Sequence, residues 1–207
     1  MADLWTLVAA ERGALADDLA DLTPDQWGTT SLCPDWTVRH VVAHLTAAAS
    51  TSPGAFVAQF AGAGFNFDKY ANAGIARRLG ADPAATLAGF RAVQGSTTAP
   101  PGPKGTWIGE VVVHSEDIRR PLGISHAYDP EALRLAADFY KGSNTLIGAK
   151  NRIDGLTLRA TDLDWSTGDG PAVEGPMASL VAAMTGRSAP VDDLSGEGVE
   201  ILRSRCS

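Results

Sequence analysis

Cysteine is scarce in this sequence of 207 residues. Its two cysteines, Cys33 and Cys206, lie far apart and form no CxxC pair. This excludes the usual sequence pattern of a thiolate zinc site, and it also excludes a disulfide framework. Because proteins without disulfides are typical of a reducing compartment, we expect a cytoplasmic protein.

Clusters of basic residues and long apolar runs are also absent. The 17 lysines and arginines are outnumbered by 24 acidic residues, and the formal net charge is -7. This balance argues against nucleic acid and anionic membranes as main partners. No apolar stretch approaches the roughly 20 residues of a membrane span. Acids interrupt the N-terminal apolar residues, which is unlike a signal peptide. We expect a soluble globular protein, either a monomer or a homodimer.

Helical spacing of apolar residues and helix-capping signals predict a helical N-terminal region. Thr37 is the expected N-cap of the second helix, and an Asp-Pro pair opens both the fourth and the sixth helix. The predicted helices cover residues 3–20, 38–50, 55–79, 83–95, 106–120 and 130–149.

The pattern changes after residue 155. The segment "LTLRATDLDW" alternates like a strand, "AVEG" is predicted to be a second strand, and "GVEILRS" a last one. A short helix is expected to start at Pro176. The sequence therefore predicts a mainly α protein with two domains, a helix bundle over residues 1–150 and a small α+β extension over residues 151–207.

An acid and an imidazole stand four residues apart in "GEVVVHSEDIRRPLG", at Glu110 and His114. His44 lies on another predicted helix, and facing helices of a bundle often supply metal ligands in this way. Two nitrogens and one carboxylate oxygen suit zinc and leave a fourth position open for chemistry. By spacing alone, an exposed i,i+4 pair and a hydrogen-bonded core histidine remain as alternatives.

Two segments resemble a known family. "LCPDWTVRHVVAHLTAA" and "GEVVVHSEDIRRPLG" are similar to the two signatures of the DinB-like, mycothiol-dependent maleylpyruvate isomerase family. The segment "LTLRATDLDWSTGDGPAVEGPMASLVAAMTGR" resembles the C-terminal region of many members. The resemblance implies a DinB-like four-helix bundle in which His44, Glu110 and His114 bind a divalent metal, usually zinc.

Two neighbours bear on this metal site. Asp117, one turn after His114, could accept a hydrogen bond from that imidazole and fix its orientation. An ion pair with Arg120 is the alternative for this carboxylate. His40 lies one turn before His44 and could close the site as a fourth ligand, which would argue against catalysis.

Three further residues have both a functional and a structural interpretation. Cys33 precedes the second helix and could approach the metal, although free cysteines are more often small buried hydrophobes. Arg77 and Arg78 could meet an anionic substrate above the metal, and a solvated helix end is the alternative.

The function implied by the resemblance is that of a metal-dependent enzyme with a thiol cofactor. The metal would activate a low-molecular-weight thiol, mycothiol in this family, for isomerisation or S-transfer on a small electrophile. The alternative is a non-catalytic metal-binding stress or regulatory protein with a closed site. The sequence contains no residue that demands maleylpyruvate as the substrate.

Overall fold

The computed structural model describes residues 3–145 and 147–206. The chain divides into two compact units, Met1–His126 and Ala127–Ser207. The helices of the first unit are α1 (Leu4–Asp18), α2 (Pro24–Trp27), α3 (Val38–Ser50), α4 (Pro53–Gly62), α5 (Phe67–Arg78), α6 (Pro83–Ala92) and α7 (Lys104–Leu122).

Four of these helices form a bundle. Helix α7 packs on α1 and α3, and α6 packs on the same two helices, so the four close into a ring. Helix α5 lies on the outer side of this ring against α3. The core inside the ring is apolar and consists of Leu15, Ala16, Leu19, Trp27, Cys33, Val38, Val41, Val42, Leu45, Phe90 and Ile118. The predicted bundle is confirmed.

The predicted helix over residues 55–79 is wrong, because the chain breaks between α4 and α5. Gly64 and Phe65 both adopt positive φ angles, of 68° and 57°. An α-helix cannot continue through two such residues. The Asn66 side chain then accepts a hydrogen bond from the backbone N–H of Lys69 and caps the new helix.

Helix α7 is longer than predicted, because Pro121 lies inside its last turn. The helix ends at Leu122, and the next residue, Gly123, has a φ of 67°. The N–H groups of Gly123 and Ile124 donate to the carbonyls of Arg120 and Arg119 and satisfy the last turn. Glycine tolerates this left-handed conformation, so Gly123 and not Pro121 ends the helix.

The second unit contains a small sheet with helices. Its helices are α8 (Pro130–Tyr140), α9 (Ala149–Arg152), α10 (Met177–Met184) and α11 (Val199–Arg203), with a 3-10 helix at Ala189–Asp193. Its strands are β1 (Thr157–Ala160), β2 (Ser166–Thr167) and β3 (Ala172–Gly175). The central strand β1 pairs antiparallel with β2 and parallel with β3. Leu158 and Val173 face each other in register, and both are buried.

Three expectations for this half of the chain differ from the structure. The predicted helix over residues 130–149 is too long, because α8 ends at Tyr140 and the next helix, α9, begins only at Ala149. The predicted last strand is α11, and the backbone N–H of Leu202 donates to the carbonyl of Gly198 in its first turn. Helix α8 packs on α10, so it groups with the sheet. The sequence had assigned it to the bundle, within 1–150.

No helix among the described residues is long and apolar enough to span a membrane.

Candidate metal centre

Helix α3 holds His44 at the edge of the bundle core. The side chain of His44 is 15% exposed and flanks the buried stripe of its helix. The helix begins after Thr37, whose backbone N–H donates to His40 Nδ1 at 3.2 Å. His40 therefore caps the helix that carries His44. The buried stripe consists of Val38, Val41, Val42 and Leu45.

Helix α7 supplies Glu110 and His114 from one face, because residues four apart lie about one helical turn apart. The residues between them, Val111 to Val113, are buried. The side chain of Glu110 is 30% exposed, whereas that of His114 is only 10% exposed. The pair therefore lies at the boundary between core and solvent, and it is not the exposed surface pair that spacing alone left open.

The structure brings the three predicted ligands together. One oxygen of Glu110, Oε2, lies 3.2 Å from His44 Nε2 and 3.5 Å from His114 Nε2. The three donor atoms all lie within 4.8 Å of one another. Thus two imidazoles and one carboxylate, from helices that are distant in sequence, meet at one point.

Behind this group lies a second set of buried polar side chains. His114 Nδ1–H donates to Asp117 Oδ2 at 2.8 Å, so the hydrogen bond predicted for Asp117 is present. The Cys33 thiol donates to the same oxygen at 3.0 Å. Asp117 is fully buried. With Nδ1 engaged in this way, Nε2 is the ring nitrogen that faces Glu110 and His44.

The loop that carries Cys33 is bound to α7 through a backbone carbonyl. Pro121 has no N–H, so it cannot bond to the carbonyl of Asp117 in the previous turn. That carbonyl instead accepts the backbone N–H of Leu32 at 3.1 Å. This contact fixes Cys33 beside the Asp117 carboxylate. Arg120 donates to Glu116 at 2.6 Å.

The electrostatics of the cluster follow from its hydrogen bonds. Burial alone would raise the pKa of Glu110, but the hydrogen bonds and charges of His114 and His44 outweigh it and hold this pKa well below its usual range. Burial alone would lower the pKa of His114, but the bonds to Asp117, Cys33 and Glu110 raise it well above 6.5. Without metal, these contacts favour the protonated form of His114 and the ionised form of Glu110.

An aromatic side chain covers one side of the histidines. The ring centroid of Trp36 lies 5.0 Å from that of His44 and 6.5 Å from that of His114. Its indole N–H donates to Asn72 Oδ1 at 3.3 Å, which links this wall to α5. The wall shields the two imidazoles from water on that side and supports their orientation.

The donor set could hold a divalent metal such as zinc. Zinc–ligand bonds of about 2.0–2.2 Å at tetrahedral angles separate neighbouring donors by about 3.3–3.6 Å. The two distances to Glu110 Oε2, 3.2 and 3.5 Å, are close to that edge length. The hydrogen bond from His114 Nδ1–H to a buried carboxylate is the usual support for a zinc-bound histidine.

The comparisons with known proteins agree with the fold and with the sequence resemblance. Residues 8–102 match the mycothiol maleylpyruvate isomerase N-terminal domain. The resemblance is confirmed. The matched region includes His44 and ends before α7, so Glu110 and His114 lie outside it. A search of curated proteins finds no match.

Two crystal structures are similar over nearly the whole chain, the mycothiol-dependent maleylpyruvate isomerase and a histidine-to-alanine mutant of it. Each is 18% identical in sequence, with a TM-score of 0.61, over 94% of this chain and 91% of the other. At this identity the likeness establishes the DinB-like fold, and the chemistry rests on the residues of this chain.

Two residues of the centre make contacts that the sequence did not indicate. Cys33, for which the sequence left open an approach to the metal or a place in the core as a small hydrophobe, is buried, and its thiol donates to Asp117. Trp36 packs on the two candidate ligands themselves. Two groups of the described residues could hold a metal ion, His44 with Glu110 and His114, and Cys33 with His114 and Asp117. His40 belongs to neither group. No sequence signal distinguished these contacts, because each depends on how the 31–36 loop folds onto α7.

Proposed function

We propose that this protein is a zinc-dependent enzyme of the mycothiol-dependent maleylpyruvate isomerase type, which uses an activated thiol for isomerisation or S-transfer on a small electrophile. The observation that carries the proposal is the convergence of His44, Glu110 and His114 on one point. A zinc ion held there would acidify a thiol, so that the more nucleophilic thiolate is available at neutral pH.

The residues of the chain prepare this site before any metal binds. The Asp117 carboxylate fixes the plane of His114 and directs Nε2 outward. Glu110 is held ionised, so it needs to lose no proton to act as a ligand. The wall formed by Trp36 excludes water on one side, while the 30% exposure of Glu110 leaves the centre accessible from another.

The second candidate is a non-catalytic metal-binding protein whose site is closed by His40. The structure favours it less, because His40 Nδ1 accepts the N–H of Thr37 and acts as part of the α3 cap. The comparison of His40→Asn with His44→Ala separates the two candidates. Asn can still accept the Thr37 N–H, so the first variant removes an imidazole while keeping the cap.

The test is elemental analysis of the purified protein and its variants, followed by titration of the zinc form with mycothiol. We expect about one zinc per chain in the wild type and in His40→Asn, and a large loss in His44→Ala and His114→Ala. Unchanged zinc content in His114→Ala would refute the site. Zinc binding without thiol affinity would keep the site and refute the cofactor. A loss of zinc in His40→Asn would favour the closed site.

A further inference from the structure

The imidazole of His114 lies between two groups of potential metal ligands. The outer group consists of His44, Glu110 and His114, which takes part through Nε2. The inner group consists of Cys33, Asp117 and the same histidine, which takes part through Nδ1. The inner group offers a sulfur, a nitrogen and a carboxylate oxygen, whereas the outer group contains no sulfur. The two groups therefore suit different classes of metal ion.

The donor atoms of the inner group are close to the spacing that a metal ion requires. Cys33 Sγ lies 3.0 Å from Asp117 Oδ2 and 3.7 Å from His114 Nδ1. The nitrogen lies 2.8 Å from the same oxygen. For an ion of the size of zinc, bonds of about 2.0–2.3 Å at tetrahedral angles need separations of about 3.3–3.6 Å. The carboxylate oxygen must therefore move away from the other two atoms by about 0.5 Å, and somewhat more for the larger cadmium ion.

The backbone around Cys33 is fixed, so only side chains need to adjust. The Cys33 N–H donates to Ser31 Oγ at 3.1 Å, and the Cys33 carbonyl accepts the N–H of Trp36 at 3.2 Å. The Leu32 N–H donates to the Asp117 carbonyl at 3.1 Å. None of these bonds uses a donor atom of the inner group. A metal ion can therefore bind there while the loop stays attached to α7.

Charge and softness decide which ions the inner group accepts. Cys33 and Asp117 are both buried, and buried charges are costly unless they are compensated. A thiolate and a carboxylate carry two negative charges, which together with a neutral imidazole balance one divalent ion. Thiolate ligands favour soft ions over magnesium, calcium or manganese. Zinc is borderline in softness and also accepts the nitrogen and oxygen donors of the outer group.

We propose that Cys33, Asp117 and Nδ1 of His114 form a second metal site for soft divalent ions such as cadmium, and that its occupation excludes zinc from the outer group. A neutral imidazole has one N–H and one nitrogen that is free to bind a metal. Zinc in the outer group takes Nε2 and leaves the proton on Nδ1, where Asp117 accepts it. Cadmium in the inner group takes Nδ1 and leaves the proton on Nε2, 3.5 Å from Glu110 Oε2. His114 therefore serves one site at a time.

The protons of the inner group balance the binding step. The thiol proton of Cys33, which is donated to Asp117, leaves as the sulfur–cadmium bond forms. The Nδ1 proton of His114 leaves as the nitrogen–cadmium bond forms. When both ring nitrogens are protonated beforehand, two protons pass to the buffer and Nε2 keeps its own. No oxidant or reductant takes part.

The consequence for catalysis rests on the proposed function, whereas the inner site itself does not. Where zinc in the outer group activates a thiol, a soft ion in the inner group removes one of the three zinc ligands. The enzyme then loses zinc without any ion entering the outer group. Soft divalent ions would inhibit it through Cys33, a residue that does not bind zinc in the proposed function.

The experiment is a titration of the metal-free full chain with cadmium chloride, followed by the ultraviolet absorption band of the thiolate–cadmium bond. Cys33→Ser keeps a hydroxyl that donates to Asp117 but removes the sulfur, and Cys206→Ser, which removes the other free cysteine, is the matched control. His44→Ala disrupts the outer group and leaves the inner group complete. We expect the band in the wild type, in Cys206→Ser and in His44→Ala, and no band in Cys33→Ser. Cadmium affinity should fall at least about tenfold in Cys33→Ser.

The exclusion is tested by adding cadmium to the zinc-loaded protein and measuring both metals by elemental analysis after gel filtration. We expect the wild type to lose zinc as the band appears. Cys33→Ser should keep its zinc up to a cadmium concentration at least about tenfold higher. A chain that holds both ions while the band is present would overturn the exclusion.

The variants show which part of the proposal has failed. A band of equal strength in Cys33→Ser, or a band that is lost in Cys206→Ser, would overturn the inner site. If the band persists in His44→Ala and the zinc content of that variant is also unchanged, the inner site stands and the zinc ligands of the proposed function fail.

Discussion

The raised pKa of His114 predicts that zinc must displace a proton from this side chain. Without metal, the imidazolium is stabilised by Asp117, Cys33 and Glu110, and its pKa lies well above 6.5. The Nε2 proton occupies the position where zinc would bind. The ionised Glu110 has no proton to release in the same pH range. Zinc binding at pH 6.5 should therefore release about one proton from His114.

The magnitude follows from the linkage between proton and metal. Below the pKa of His114, each pH unit lowers the apparent zinc affinity about tenfold, or about 1.4 kcal/mol. Between pH 7 and pH 6 the association constant should therefore fall by about a factor of ten. The assay is calorimetric titration with zinc in two buffers of different ionisation enthalpy, which gives the number of protons released.

Asp117→Asn is the perturbation that tests the cause. An asparagine oxygen still accepts the hydrogen bond from His114 Nδ1–H, but the negative charge that holds the proton is gone. The pKa of His114 should fall toward 6.5, so that zinc releases little proton at pH 7.5. Zinc affinity at high pH should drop by about 10- to 100-fold, as is typical when a carboxylate behind a ligand histidine is lost. His126→Gln, which changes a histidine paired with Glu11, serves as the control.

The raised pKa of His114 also makes the stability of the metal-free fold depend on pH, and the direction of this dependence can be stated. A histidine whose pKa is higher in the folded state stabilises that state fully below its unfolded pKa of about 6.5, and the contribution is lost as pH rises through the folded pKa. The free energy of unfolding of metal-free protein should thus decrease from pH 6.5 upward, and less so in Asp117→Asn. An enthalpy of zinc binding that is independent of the buffer, together with an affinity that is flat from pH 6 to 7.5, would refute this account.

Three further predictions concern packing and conformation. Phe90→Ala should lower the free energy of unfolding in urea by about 3–5 kcal/mol, because the ring is fully buried in the bundle, whereas Phe65→Ala, at a 74% exposed position, should change it by less than about 0.5 kcal/mol. Zinc should change the tryptophan emission of the wild type and not of Trp36→Phe, since the Trp36 ring lies 5.0 Å from that of His44; an unchanged response in the variant would contradict this geometry. Gly168→Ala should destabilise the second unit, because Gly168 has a φ of 89° and a Cβ there would meet the carbonyl of Leu156; unaltered thermal unfolding would contradict it.

The helices that carry the candidate ligands could be predicted because their signals are local. Thr37 precedes a stripe of valines with helical spacing, and Glu110 and His114 share a face by periodicity alone. The break between α4 and α5 could not be predicted in this way. Gly62 and Gly64 weaken a helix without stopping it, and the positive φ of Phe65 is not a preference of its residue type.

The charged residues of the site could be predicted from the sequence, but their partners and the directions of their pKa shifts could not. The sequence offered Asp117 one turn from His114, with a pair to Arg120 as the alternative. In the structure Arg120 binds Glu116, and Asp117 is buried with His114 and the Cys33 thiol. Burial and hydrogen bonding oppose each other at His114, and the balance between them depends on contacts that span 81 residues of sequence.

Pro121 explains how such a distant contact is fixed. A proline late in a helical pattern weakens the helix, and on that ground the predicted helix ends at residue 120, before Pro121. Its missing N–H leaves the carbonyl of Asp117 available, and the Leu32 N–H bonds there at 3.1 Å. The residue whose carboxylate orients His114 therefore also anchors, through its backbone, the loop that delivers Cys33. The missing N–H of Pro121 thus supports the metal centre, because it lets the loop before α3 bind the helix that carries two of the three ligands.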